Sequence, residues 1–369
     1  MKALSLRLRR DLDVLLWTVF AAASHTSDPQ RRATTPRLVR RFPEGRQSMF
    51  DIAVSELTSS RWDLQQEIAH VAAHGFDAIS LWRAKVSDVG AAAAARIVTA
   101  AGVRVSSLQW AGGFTGGDGR SFAESVDDAI EAINTAATLA APVLVVHSGC
   151  RGGHTRSHAA RLLAEAVETL LPIASQAGVT LALKPVNAAA VGCSFLTGLG
   201  EGLDLVRRFN DPALRLALDL WHFGDDAELS ALVPGLADAA AVLQIADRCG
   251  SPAAEVDRLP AGHGSLPLER LVSDLVEHGF AGPLEFDPVG EAVEILGYDG
   301  VWQETRLVAD AWADRHAARR HGPLPASVAG GSDRGRDGDR LSMARGHFRA
   351  GSATGSRRSH ASTHTGSPG

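Results

Sequence analysis

The sequence predicts an α/β fold, a single closed (β/α)8 barrel spanning residues 49–318, with non-globular extensions at both ends. Three observations predict it. A short β-branched or apolar run, a loop with polar or Gly residues, and a helix-period segment recur in that order from residue 50 to residue 315. The helix ends repeat as well: His74-Gly75-Phe76, Ala101-Gly102-Val103, Ala177-Gly178-Val179 and His278-Gly279-Phe280 each precede a strand-like run. Glycine there supplies the left-handed residue that stops a helix and turns the chain into the next strand. Eight strand-like runs fall within residues 49–318, which suits a closed barrel better than an open doubly wound sheet.

In chain order, strands are expected at residues 51–56, 77–83, 104–110, 143–147, 179–184, 214–219, 241–245 and 283–287. Each is short and rich in Val, Ile, Leu or Ala, as strands covered on both faces should be. Helix-period segments at 63–74, 121–139, 158–176 and 266–278 supply crossovers between them.

In such a barrel, alternate residues face the axis and functional groups gather at the C-terminal ends of the strands. Strands four to eight end in His147, Lys184, Asp219, Gln244 and Asp287. Two residues earlier stand Val145, Ala182, Ala217, Val242 and Glu285, and four of these five are small or β-branched, as packed barrel layers require. The polar termini therefore share one parity and are expected to converge on one mouth.

Four motifs on consecutive strands carry a family resemblance. They are Leu181-Ala182-Leu183-Lys184-Pro185-Val186-Asn187, Leu218-Asp219-Leu220-Trp221-His222, Val242-Leu243-Gln244-Ile245-Ala246-Asp247, and Gly282-Pro283-Leu284-Glu285-Phe286-Asp287-Pro288. In this order they resemble the xylose isomerase-like barrels, the sugar phosphate isomerase/epimerase superfamily that includes hydroxypyruvate isomerase and ketose 3-epimerases. The resemblance spans residues 49–318. It implies a divalent metal, Mn²⁺ or Mg²⁺, held by an acidic residue on strand five, an Asp on strand six, a His or Gln on strand seven and a Glu on strand eight. By position these are Lys184, Asp219, Gln244 and Asp287, and His222 matches a substrate-contacting histidine.

Two of those positions depart from the pattern. Asp287 is one methylene shorter than the usual Glu, and Glu285 lies one layer deeper on the same face. More consequentially, Lys184 puts an ammonium where a carboxylate is expected, and a protonated amine offers no lone pair to a hard cation. Three mechanisms stay open. Asp219, Gln244 and Asp287 hold a weakened metal while a carboxylate moves a proton beside a substrate carbonyl. Alternatively, Lys184 takes the cation's place between Asp219 and Asp287 and stabilises the developing oxyanion. In the third, the barrel binds a sugar or polyol without turning it over.

The candidate catalytic residues are Asp287, Lys184 and Glu285, and the candidate metal ligands are Asp219, Gln244 and Asp287. Substrate contacts are expected from His222, His147, Asn187, Trp82, Trp110 and His263, the last at the centre of a Gly262-His263-Gly264 loop expected to line the mouth. Each has a plainer reading: a salt bridge for Lys184, core packing for His222, Trp82 and Trp110, a structural hydrogen bond for His147. Asp247 is placed at a surface-leaning position beside Arg248.

Charge and composition narrow the partners. Of 37 basic and 42 acidic residues, 18 and 35 fall in residues 49–318, so the body is strongly acidic. An acidic body repels phosphate backbones, which argues against nucleic acid and against the abasic-site endonucleases that share this barrel. No Walker, Gly-x-Ser-x-Gly or His-Glu-x-x-His motif occurs, and no apolar run reaches membrane-spanning length. The expected partner is a small sugar or polyol, with a homodimer left open. Cys150, Cys193 and Cys249 have no paired spacing, which suits a reducing, cytoplasmic setting. Residues 1–48 are basic, and their first 24 outline a secretory signal interrupted by Asp11 and Asp13; they are read as an upstream extension or mis-called start. Residues 319–369, rich in Gly, Ser and Arg, are expected to be a disordered tail.

Overall fold

The computed structural model describes residues 50–189, 194–252 and 257–321. Eight strands close into one barrel in sequence order: β1 (Ile52–Ser55), β2 (Ala78–Trp82), β3 (Arg104–Gly112), β4 (Val143–His147), β5 (Thr180–Leu183), β6 (Leu214–Asp219), β7 (Ala240–Ile245) and β8 (Leu284–Phe286). Every neighbouring pair is parallel, and β8 returns to β1 through Ala53 opposite Glu285. All eight expected strands are present, and most bounds move by only one or two residues.

Helices wrap the barrel: α1 (Leu64–Ala73), α2 (Arg83–Val89), α3 (Ala91–Ala100), α4 (Phe122–Thr138), α5 (Arg156–Ala177), α6 (Leu199–Phe209), α7 (Leu220–Phe223), α8 (Leu229–Ala239), α9 (Leu268–Glu277), α10 (Glu291–Leu296) and α11 (Tyr298–His321). Several of their starts are set by side chains that satisfy the first free amides. Asp63 accepts from Gln66 N at 2.8 Å, and Ser121 and Glu124 form a reciprocal capping box. Their ends follow the repeated glycine: Gly75, Gly102, Gly178 and Gly279 all have positive φ, from 70° to 103°. The last helix runs to His321, so Arg319 and Arg320 continue the barrel wall where a tail was expected. Arg319 donates to Ser273 Oγ at 2.5 Å. The expectations for residues 1–48, for Cys193 and for residues 322–369 lie outside the described residues.

The strand faces separate two cores. Outward-facing Leu144, Leu183, Leu216, Leu218, Leu243 and Ile245 join the helices in one continuous apolar layer. Each such side chain, fully buried, contributes about 1.5–3 kcal/mol. Inside the barrel a smaller cluster holds Val143, Val145, Ala182, Ala217 and Val242. Four of these five stand two residues before a polar strand end, so the period-two reading of the mouth is confirmed by the layer beneath it.

Candidate active site at the barrel mouth

The charged groups at the mouth form a connected quartet. Lys184, the first residue after β5, places Nζ 2.8 Å from Asp219 Oδ2 at the end of β6. Arg258 Nη2 lies 3.1 and 3.0 Å from the two Asp219 oxygens and 2.8 Å from each oxygen of Asp287, just beyond β8. All four residues are nearly sealed: Lys184 is 5% exposed, Arg258 3%, Asp219 0% and Asp287 6%. Two carboxyl groups and two cations nearly cancel in charge, which offsets the cost of keeping them away from water.

Arg258 was not among the residues expected from the sequence. It sits in the long connection after β7 and is carried inward by two short antiparallel bridges. Asp247 and Leu259 exchange backbone hydrogen bonds at 2.7 and 2.8 Å, and Arg258 and Val289 do so at 3.0 and 2.9 Å. Its guanidinium then lies over the Trp221 ring, 5.1 Å from the centroid, while Nε donates to the Asp287 carbonyl at 3.3 Å. The position of Asp247 is corrected accordingly. It is 1% exposed, and its carboxylate accepts from the amides of Arg248, Gly262 and Leu266 at 2.8 to 3.0 Å. A methyl group at Gly264 would collide with that carboxylate, which is why the loop needs glycine there.

The same clasp turns Gly262-His263-Gly264 away from the quartet. His263 Nε2 meets Glu304 Oε2 on α11 at 2.8 Å, with the imidazole 41% exposed, so His263 does not line the mouth. Asn187 is likewise engaged elsewhere: Nδ2 donates to the His222 carbonyl at 3.1 Å and Oδ1 accepts from Ala189 N at 2.8 Å. It braces loops. His222 is fully buried between Trp221 and Phe223, with Nε2 3.7 Å from Asp219 Oδ2. It supports the Asp219 carboxylate from behind.

Glu285 was expected to be catalytic, but it lies one layer down and is caged. Ser106 Oγ donates to it at 2.7 Å and Gln109 Nε2 at 3.4 Å, with Ser107 and Gln244 also bonded. A register shift in β3 presents Ser106 and Ser107 together to this carboxylate. Gln244 pairs in register with both Asp219 and Glu285, and its Oε1 is buried with no hydrogen-bond partner among the described residues. Such an acceptor calls for a donor from a ligand or an ordered water. Around the quartet stand His147, 7% exposed, the half-buried Trp110 edge-on to it at 5.6 Å between centroids, and the half-buried Trp82 at the end of β2. At Gly112 an added methyl group would strike the His147 carbonyl, so glycine is what lets β3 and β4 approach here.

The two aspartates have opposite electrostatic histories. Burial works to raise the Asp219 carboxyl, but Arg258, then Lys184 and His222, outweigh it and hold it far below the usual carboxylate range. Asp287 is pushed up to about 7, by burial first and by the Asp219 charge, with Arg258 only partly opposing. Two carboxyls driven apart in this way are the usual basis for separate acid–base and charge-holding roles. A second buried ionic group, Glu56, Glu67 and Lys85, lies outside the barrel wall between β1, α1 and α2, and the sequence reading did not find it.

Eight parallel strands closed around an axial cluster of ionisable side chains define a (β/α)8 barrel whose chemistry sits at the strand ends. The chain belongs to the xylose isomerase-like TIM barrel family, whose model matches residues 68–306. Among solved structures it is similar to protein SMc04130 of Sinorhizobium meliloti 1021, at 25% identity and TM-score 0.62, covering 73% of this chain and 98% of that one. It is also similar to the IolI protein with a bound zinc atom, at 18% identity and TM-score 0.62, covering 73% and 99%. An L-ribulose 3-epimerase is a third such structure, at 18% identity and TM-score 0.62, covering 74% and 97%. No curated protein sequence matches the chain significantly. Among the described residues no helix is long and apolar enough to cross a membrane.

Metal-bound structures among these neighbours make the donor set here worth testing against a divalent ion. It does not fit. Each oxygen of Asp219 and Asp287 already lies 2.8 to 3.1 Å from a fixed cation, and Gln244 Oε1 adds only a neutral donor beside them. A divalent ion at that point would face an ammonium and a guanidinium at contact distance, against the anionic oxygen set that Mg²⁺ and Mn²⁺ require.

Proposed function

We propose that this protein is a metal-independent isomerase or epimerase of a small ketose, hydroxy-aldehyde or related polyol, with Lys184 and Arg258 supplying the positive charge that a metal would otherwise bring. The observation that carries the reading is the Asp219–Lys184–Arg258–Asp287 quartet at the mouth. Asp287, poised to exchange a proton near neutral pH, removes the proton on the carbon next to the substrate carbonyl. The electron pair of that C–H bond forms the C=C bond while the carbonyl π pair moves to oxygen, giving an enediolate, and the Lys184 and Arg258 cations stabilise the charge. A solvent proton delivered to the opposite face epimerises the carbon; return of the Asp287 proton to the former carbonyl carbon, with the hydroxyl proton passing between the two oxygens, isomerises the sugar. Gln244 Oε1 accepts a substrate hydroxyl, and Trp82, Trp110 and His147 flank the ring or chain. The exposed free thiols of Cys150 and Cys249 suit a cytoplasmic setting.

One observation favours a second reading, a barrel that binds sugar without turnover: Arg258 engages both oxygens of Asp287, so the base acts only after that clasp loosens. Incubation of candidate ketoses and hydroxy-aldehydes in heavy water with a chelator present, followed by NMR, separates the two. The enzyme reading expects deuterium at one substrate carbon and no stimulation by Mn²⁺. Sugar binding without label in any candidate would establish the second reading instead.

A further inference from the structure

We infer that His70, His74 and Asp299 form a transition-metal site on the outer wall of the barrel, taking a divalent ion of the zinc type and tying the last helix to the first. His70 lies in the last turn of α1 and His74 caps it, so the two are four residues apart and project from one helix face. Asp299, the second residue of α11, completes the group, and one ligand atom from each of the three lies within 4.8 Å of the others. Asp299 Oδ1 is 2.7 Å from His70 Nδ1 and 3.6 Å from His74 Nε2. Ligands about 2.0–2.1 Å from a tetrahedral ion stand roughly 3.3 Å from one another, so only small side-chain rotations separate this arrangement from a coordinated one.

The neighbouring groups already orient both imidazoles. His74 Nδ1 lies 2.8 Å from the His70 carbonyl, which can only accept, so the ring proton resides on Nδ1 and Nε2 turns its lone pair toward Asp299. A ring N–H bonded to a backbone carbonyl is the usual orienting device for a ligating histidine. The ring planes are held too: Trp62 packs against His70 at a 32° tilt with 4.2 Å between centroids, and Trp302 meets His74 edge-on at 5.8 Å. Both imidazoles are partly buried while Asp299 is 57% exposed, so the ion has an entry path and a fourth position open to water. Two imidazoles and one carboxylate select Zn²⁺, Ni²⁺ or Cu²⁺ over Mg²⁺ or Ca²⁺. The site shares no residue with the mouth. It lies where α1 leads through Gly75 into β2, and its occupant would join the first barrel helix to the one that closes the ring.

Zn²⁺ is the probe, added to the full chain and measured by competition with a chromophoric chelator, with thermal melting in parallel. The parent protein is expected to bind one more equivalent than His74→Ala or the near-isosteric Asp299→Asn. Each variant should lower the affinity of that equivalent at least about tenfold and abolish the Zn²⁺-induced rise in Tm. Circular dichroism of the metal-free variants confirms folding. Unchanged stoichiometry and an unchanged Tm rise in both variants would overturn the assignment, as would the absence of any Zn²⁺ binding by the parent.

Discussion

Replacing Arg258 with alanine is expected to cost about 3–5 kcal/mol of unfolding free energy, read as a fall in the urea midpoint at constant slope. The reason lies in what is left behind. Asp219 and Asp287 are buried at the same mouth and share the one guanidinium, which meets all four of their oxygens at 2.8 to 3.1 Å. Without it Lys184 alone faces two buried carboxylates, and burial together with mutual repulsion drives Asp287 to hold its proton. The stacking of the guanidinium on Trp221 disappears as well. Arg258→Lys should recover part of the loss, because it restores the charge without the planar fork that reaches both carboxylates. Equal stability of Arg258→Ala and the parent would mean that the quartet is not formed in solution.

Asp287→Asn is expected to lower the rate of solvent proton exchange into substrate by roughly 10²–10⁴ at neutral pH, with a much smaller change in KM. In the parent, kcat/KM should rise with pH through an inflection near the raised Asp287 value of about 7, because the base must be ionised. The variant should lose that inflection. Stability runs the other way. A carboxyl raised in the fold from 3.8 to about 7 contributes stability that is complete below pH 3.8 and is lost as pH rises through 7. Asp219, held low, contributes stability above its unfolded value that is lost only in strong acid. Urea midpoints between pH 4 and 8 should therefore decline less in Asp287→Asn than in the parent, and identical pH dependence would contradict the assignment.

The barrel was legible because it rests on local rules. Alternation along a strand, a glycine at each helix end and the size of the body each point to the same closed sheet, and Val145, Ala182, Ala217 and Val242 lie inside as their spacing requires. Lys184, Asp219 and Asp287 were found for the same reason, since a strand end is a sequence position. Arg258 was not, because two antiparallel bridges across a long loop deliver it. A hint was present in Asp257-Arg258-Leu259-Pro260, a cation flanked by an apolar residue within an acidic body. His263 misled in the opposite sense. Its flanking glycines looked like a mouth loop, yet the buried Asp247 carboxylate turns that loop toward α11. Glu285 had the right parity at the wrong depth, and the β3 register shift that cages it has no sequence signature. The Glu56–Glu67–Lys85 group joins a strand to two helices, a meeting that no single periodicity encodes.

Anomalous diffraction from crystals equilibrated with Mn²⁺ is the most direct measure of whether side-chain cations replace a metal at the mouth. The expected map has no peak among Asp219, Gln244 and Asp287, with Lys184 Nζ still on Asp219 and the Arg258 guanidinium still seated between the two carboxylates. A manganese peak bonded to Asp219 and Asp287, with Lys184 and Arg258 swung aside, would contradict it.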